Sequence, residues 1–351
     1  MRNHIIGGLA VILAAAAAPS SASAASAIVN CGNPADSISL KLGLGFDVIR
    51  VQGTCTETVN IRRDDITIQG IGAAKLLGKV IVDGAARVKI KNLKVQGSSD
   101  TGILLMRGAS VLLEQVSVNG AGQDGIKATG NSNLELVGSV VENSQASGVF
   151  IVQGSSASVT GSTIRNNAAD GLSLQNTSTA EVLTSTFAGN GPQGDAQVFV
   201  GENSAVRLTG NAIAAVEPAT ALTVARGAVA RLAGQNTISG EGFATIHLSL
   251  NATLIQRGGV DTITGPIQIR NSSSAEIRSI ELNGDINIEN HSMAVLHDGH
   301  ISGGVGLVRD SGLSIVGGSV DGNVECAEEE SSFFTELDPL PVGGDVNCSG
   351  F

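Results

Sequence analysis

Residues 125–147 read GIKATGNSNLELVGSVVENSQAS, a 23-residue unit that opens on a glycine. Glycine recurs at that step at Gly102, Gly125, Gly148, Gly171 and Gly194. Two apolar columns keep the same phase: Val95, Val118, Val141, Ile164 and Phe187, and Ile90, Leu113, Leu136, Val159 and Val182. Three columns in phase over successive units specify a stack of similar coils, not a globule folded around one centre. Within the unit, β-prone runs at 126–129, 133–137 and 139–141 are separated by Gly130-Asn131-Ser132, Gly138 and Asn143-Ser144. Three short strands per turn predict an all-β, single-stranded right-handed parallel β-helix. Each coil then buries its apolar side only against neighbours about 4.8 Å away. A leucine-rich repeat needs a fixed Leu/Asn consensus that is not present. The density of Gly, Ser, Thr and Val argues against a helical solenoid.

Side chains alternate in and out along each strand, so inward Val88 and Ile90 leave Arg87, Lys89 and Lys91 pointing outward. Small polar residues also stack: Ala109, Ser132, Ser155 and Ser178 in one column, and Gly120, Asn143, Asn166 and Gly189 in another. Both columns read as structural, with the turn asparagines expected to hydrogen-bond between coils and to tolerate left-handed backbone. Toward the C-terminus the step shortens to 19, seen at Ile267, Ile286, Val305 and Val324, with Ile277, Leu296 and Ile315 in phase. Coils between Gly194 and Pro266 are less regular, the longest turn falling around residues 212–220. About twelve coils are expected in one domain spanning 25–325, followed by an acidic C-terminal cap at 326–351.

The first 24 residues predict a secretory signal peptide. Arg2 and His4 precede an apolar run from Ile5 to Ala18, and Ala22-Ser23-Ala24 suits cleavage. The run is short for a membrane span, and no transmembrane segment is expected after its removal. Export makes the four cysteines readable as disulfides, most simply as the local pairs Cys31–Cys55 and Cys326–Cys348, each stapling one end of the stack. A zinc site is poorly supported by these spacings. The net charge of −11 argues against nucleic-acid binding. The charge is uneven, with a mildly basic segment between Arg62 and Lys127 and an acidic tail.

With these residues in place, the chain resembles the pectin lyase-like right-handed β-helix superfamily. The resemblance rests on Val51-x-Gly53-Thr54-x-Thr56-Glu57 and Ile66-Thr67-Ile68-x-Gly70-Ile71-Gly72, which resemble the opening coils of many members. It rests also on Asp124-Gly125-Ile126 and on Ile164-Arg165-Asn166-Asn167 preceding Asp170-Gly171-Leu172. It covers nearly the whole chain after the leader and implies the fold. It does not select an activity, because members include lyases, hydrolases, esterases, epimerases, tailspikes and non-catalytic surface proteins.

Motifs of the catalytic members are not matched. The chain has no Tyr and no Asp-Pro-His-Asp of the epimerase-like members, and Gly122-Gln123-Asp124-Gly125 and Asp298-Gly299-His300 are unconvincing as polygalacturonase-like sets. No cofactor is called for. Calcium would need clustered acids, whereas Asp124 and Asp170 share a column two coils apart, about 9–10 Å. They read instead as caps of their turns. The best catalytic candidates are Arg278, Glu281, His297, Asp298 and His300, which the 19-residue step gathers into one outward polar patch suited to acid–base work. The competing reading is a solvated ladder of opposite charges. The best ligand-binding candidates are Arg87, Lys89, Lys91 and Lys94, a basic face suited to an acidic glycan.

Coils of uniform length leave little room for a loop-built cleft, and aromatic residues make up only 2% of the chain. The expected function is therefore that of an exported, non-catalytic β-helix of the cell envelope or surface, whether periplasmic, surface-bound or extracellular, in contact with acidic polysaccharide or another envelope component. The rivals are a polysaccharide lyase or glycoside hydrolase acting on a uronate-containing glycan, and an adhesin or self-assembling surface protein.

Overall fold

The computed structural model describes residues 24–327, 332–336 and 342–348. The expected signal peptide lies outside the described residues. All strand pairing is parallel and runs coil to coil, in a 24-stranded first sheet and a 14-stranded second sheet. The second sheet takes one strand from each coil, so its fourteen strands mark the turns of the helix. In the quoted unit, Ile126–Ala128 lies in the second sheet, while Asn133–Val137 and Val140–Glu142 lie in the first, bent apart at Gly138. The corners need left-handed backbone: Gly130 and Asn131 have φ of 63° and 60°, and Asn143 has φ of 58°. Gly and Asn tolerate this region best, which is why they punctuate the repeat.

The apolar columns run as the sequence indicates. Val95, Val118, Val141, Ile164 and Phe187 are register partners in turn and are buried. The 19-residue columns through Ile267 and Ile277 also hold. The glycine column is corrected at its last member. Leu172 pairs with Val198, and Ala196 takes its place over Asp170 across 26 residues of sequence. A three-residue insertion around Gly191–Asp195 therefore lifts Gly194 out of the column, into a turn where its φ is 105°. Up to Gly171 the glycines are there because each would otherwise aim a Cβ at the next coil's backbone. A Cβ on Gly125 would stand 2.7 Å from the Gly148 carbonyl oxygen and 2.5 Å from Val141 Cγ1.

Polar ladders run inside the stack. In one, each backbone N–H donates to the side chain one coil on: Val116 to Ser139, Ser139 to Ser162, Ser162 to Ser185, Ser185 to Asn211, Asn211 to Asn236 and Asn236 to Asp261. In another, the Ser132 N–H donates to the Ser155 hydroxyl and the Ser178 N–H to the Ser204 hydroxyl. The expected asparagine ladder is displaced by one residue. Asn143 and Asn166 occupy the left-handed corner, and it is their successors Ser144, Asn167 and Asn190 that connect the coils. Asn190 is fully inside and gives its amide to the Ile164 carbonyl, the previous coil's backbone. Buried amides bonded in this way lose nothing by leaving water and fix the coil register.

The ends are closed by local devices. Cys31 and Cys55 form one disulfide and Cys326 and Cys348 the other, the local pairing the spacing suggested. A short helix, Ile38–Gly43, not anticipated from the sequence, seats the fully buried Ile38 on the N-terminal end of the core. Ser37 caps it by accepting from Leu40 N at 3.0 Å. The Glu57 carboxylate accepts the N–H groups of Ile38 and Ser39 at 2.8 and 3.0 Å, a charge-favourable arrangement at a helix start.

Candidate functional site

Three outward regions carry chemistry. The first is the basic face of the N-terminal coils. Arg87 sits in a left-handed corner, and its guanidinium is held by Asp65 at 2.6 and 2.8 Å and by Asp64 at 3.2 Å. Lys91 is paired to Glu114 at 2.5 Å. Of the four residues expected to bind a ligand, that leaves Lys89, exposed, and Lys94, half-buried. A fifth cation, Lys75, joins them: it is the register partner of Lys94, and the two line one shallow depression with Asn92, Gln115 and Ser117. Lys75, Lys89 and Lys94 form no side-chain hydrogen bond or ion pair among the described residues. Sequence reading passed over Lys75 because its strand, Thr67–Leu77, carries an irregularity that resets the register between Gln52 and Thr54 of its neighbour.

The second region is the C-terminal patch. Arg278 registers with His297 and Glu281 with His300, so the five catalytic candidates do lie along one corner of the first sheet. Their contacts are mostly with other groups. Arg278 donates to Glu276 at 2.8 and 3.1 Å. His300 shares a 2.8 Å hydrogen bond with Ser319 and stands 3.6 Å from Asp321. Asp298 occupies a left-handed corner with φ of 50°. His291 and Asp310, one coil apart, approach to 3.4 Å. Among the described residues, no group of three or more His, Cys, Asp or Glu side chains is gathered closely enough to hold a metal ion.

The third region is the outer face of the second sheet, which the sequence reading did not single out. Lys127, Phe150, Ser173, Phe199, Thr223, His247 and Gln268 form one column on this face, with Ser173 and Gln268 buried among their neighbours. Phe150 and Phe199 flank the buried Ser173 on either side, so their backbone positions are about 10 Å apart at one coil per 4.8 Å. Lys127 lies over the Phe150 ring at 4.8 Å, and the Phe199 ring lies against Gly201, where a Cβ would stand 2.8 Å from it. Asp170 borders this stretch. Its Oδ1 accepts Ala196 N at 3.0 Å, as Asp124 does from Ser147 N at 3.2 Å; both bonds run to the next coil rather than capping the acid's own turn. Burial pushes the Asp170 carboxyl up to about 6, and the negative charge of Asp195 adds to the rise. Burial raises Asp124 as well. Further along, burial and the charge of Arg270 lower the imidazole of His247, and Arg270 stacks on Phe243 at 4.7 Å while bonding Glu289 at 3.0 Å. Such a face sets apolar side chains beside a carboxyl that titrates near 6. The signal was present in the alternation of Gly148-Val149-Phe150-Ile151, which turns Phe150 outward.

With the geometry in place, the chain can be set beside known proteins. The family model described as right handed beta helix region matches residues 78–240. No curated protein sequence matches the chain. Among solved structures, the mannuronan C-5 epimerase AlgE6 A-module of Azotobacter vinelandii superposes with a TM-score of 0.51 at 12% identity, covering 89% of this chain and 94% of that one. The catalytic domain of a GH87 α-1,3-glucanase in complex with nigerose gives 0.47 at 13% identity, over 95% of this chain and 70% of that one. PfbA, a surface adhesin of Streptococcus pneumoniae, gives 0.32 at 10% identity, over 87% and 86%. At these identities the likeness is one of fold.

Proposed function

We propose that this right-handed parallel β-helix protein is an exported, non-catalytic scaffold of the cell envelope or surface that holds acidic polysaccharide on the outer face of its first sheet. One observation carries the reading. Lys75 and Lys94 are register partners that form no close ion pair among the described residues, and Lys89 is exposed a short way along the same face. Like charges directly opposite in a sheet are destabilising, so an anion bound from outside would stabilise this pair beyond what the more distant Glu142 supplies to Lys94. Two disulfides suit an oxidising compartment. Among the described residues no helix is long and apolar enough to cross a membrane. The non-catalytic part of the reading draws on the C-terminal patch, whose Arg278 and His300 are engaged by Glu276, Ser319 and Asp321 on an open sheet corner.

The test is retention on immobilised polygalacturonate. Wild-type protein is expected to bind and to elute with salt, as charge-driven contacts do. A Lys75→Gln/Lys89→Gln/Lys94→Gln variant is expected to elute at markedly lower salt. Equal elution of the two proteins would remove the basis of the proposal.

A second reading is favoured by Asp170, a carboxyl raised to about 6 beside two outward phenylalanines. On that reading the protein is a polysaccharide lyase or glycoside hydrolase working on the second sheet, with Asp170 as proton donor. Formation of unsaturated products or reducing ends from a uronate polymer, abolished in Asp170→Asn, would establish it in place of the scaffold.

A further inference from the structure

The outward column of the first sheet that begins at Lys89 continues through Leu112, Glu135, Ser158 and Glu181 to Arg207, Arg231 and Ile255. Arg207 and Arg231 are direct register partners. Two positions along, just past the paired Leu232, Gln256 and Ile277, stand Ala233, Arg257 and Arg278 on successive coils. The four guanidiniums thus rise along four successive coils on one face. Two acids lie among them. Glu276 is shared, bonded by Arg257 at 2.7 and 2.9 Å and by Arg278 at 2.8 Å. Glu181 stands 3.8 Å from Arg207. The guanidinium of Arg231 has no partner among the described residues. Arg207, Arg231 and Arg257 also border one groove of about 310 Å³, with Leu232, Ala233 and Ile255 completing its lining.

We infer that this groove is an oxyanion-binding site, and that Arg231 is its central ligand, taking a carboxylate or sulfate group carried by a linear acidic glycan. The chemistry follows from three features. An arginine placed in register against another arginine is unfavourable unless an anion sits between them. A guanidinium fork matches a planar carboxylate or a sulfate edge with two parallel hydrogen bonds, which a lysine does not reproduce. The apolar stems of the groove give a sugar ring a surface to lie on while its charged group is held above. A polymer is favoured over a small anion because a further guanidinium, Arg278, lies one coil beyond Arg257; back along the column Glu181 and Glu135 separate the groove from Lys89. This inference rests on the polysaccharide-binding reading and gives it a second contact point, away from the lysines that carry that reading.

The test uses the full chain with two probes. Inorganic sulfate, followed by thermal unfolding, probes the groove alone; fluorescently labelled polygalacturonate, followed by anisotropy, probes the polymer. Sulfate is expected to raise the unfolding temperature of wild type more than that of Arg231→Gln. The same variant is expected to bind polygalacturonate about tenfold more weakly, with Arg231→Lys intermediate and uncharged dextran bound by none of them. Arg231 is exposed, so Arg231→Gln is expected to fold; Arg207→Gln is a second variant with the same expected loss. If both variants match wild type with sulfate and with the polymer, the groove is not an anion site, whereas the scaffold reading stands as long as the lysine variant still loses binding. Wild-type protein that binds phosphatidylglycerol vesicles but no polysaccharide would also overturn the inference.

Discussion

Gly171 lies in register beneath Gln197, not beneath Gly194. A Cβ on Gly171 would stand 2.5 Å from the Gln197 carbonyl oxygen and 2.7 Å from Asn190 Nδ2. Around Gly194 the nearest such contact is Pro218 O at 4.0 Å, and only the left-handed φ of 105° restrains it. Gly171→Ala is therefore expected to cost about 2–3 kcal/mol through overpacking between coils, and Gly194→Ala about 1 kcal/mol through backbone strain. Urea unfolding of the two variants measures the difference; equal losses would contradict the assigned register.

Asn236 joins three coils. Its amide donates to the Leu208 carbonyl at 3.0 Å and to Asp261 at 2.7 Å, and its oxygen accepts from Asn211 N and Nδ2 at 3.0 and 3.1 Å. Asn236→Ala strands these buried partners and is expected to cost about 2–4 kcal/mol. Asn236→Ser is expected to cost less, because a hydroxyl one coil on already serves the N–H groups of Val116, Ser139 and Ser162 in this column. Thermal unfolding ranks them.

Asp170 gives the fold a pH dependence of known sign. Its native pKa of about 6 lies above the ordinary 3.8. Between those values the native state binds more protons than the unfolded chain, so stability is full below the unfolded value and falls as pH rises through the window. Above it the ionised carboxylate costs on the order of 2–3 kcal/mol. Asp170→Asn keeps an oxygen for Ala196 N and removes the titration. The variant is expected to gain on wild type in unfolding temperature between pH 4.5 and pH 8; a constant difference would show that burial of this group is incomplete.

The Cys31–Cys55 bridge closes 24 residues of sequence at the end where Ile38 covers the core. Replacing both cysteines by serine is expected to cost about 2–4 kcal/mol. Amide exchange should show the loss first in the N-terminal coils, since neighbouring turns of a solenoid are coupled more strongly than distant ones. Uniform loosening of the whole stack would argue against such local coupling.

The fold was legible because a coil is a repeated solution to one packing problem. Val141 meets the same neighbours as Val118 and Ile164, so the chain states each requirement several times over. The departures were the positions stated once. Gly194 keeps the spacing of its column by coincidence, since the inserted residues around Gly191–Asp195 shift the partner to Gln197, and spacing alone does not register an insertion. The helix at Ile38–Gly43 occurs once and is only six residues long, too short for a periodic signal. Candidate sites were harder to read because they depend on partners in neighbouring coils. Outward placement of Arg87 and Lys91 followed from alternation, but their engagement by Asp64, Asp65 and Glu114 required the coil register. Arg207, Arg231 and Arg257 stand 24 and 26 residues apart in sequence and fall in no constant column. Their alignment exists only once the irregular coils are laid over one another.

The most direct measurement of the central claim is binding of labelled polygalacturonate to the full chain across a salt series, with the same mixtures assayed for unsaturated products and reducing ends. The scaffold predicts saturable binding that weakens steadily with salt and leaves the polymer intact. Turnover of the polymer, or no binding even at low salt, would contradict it.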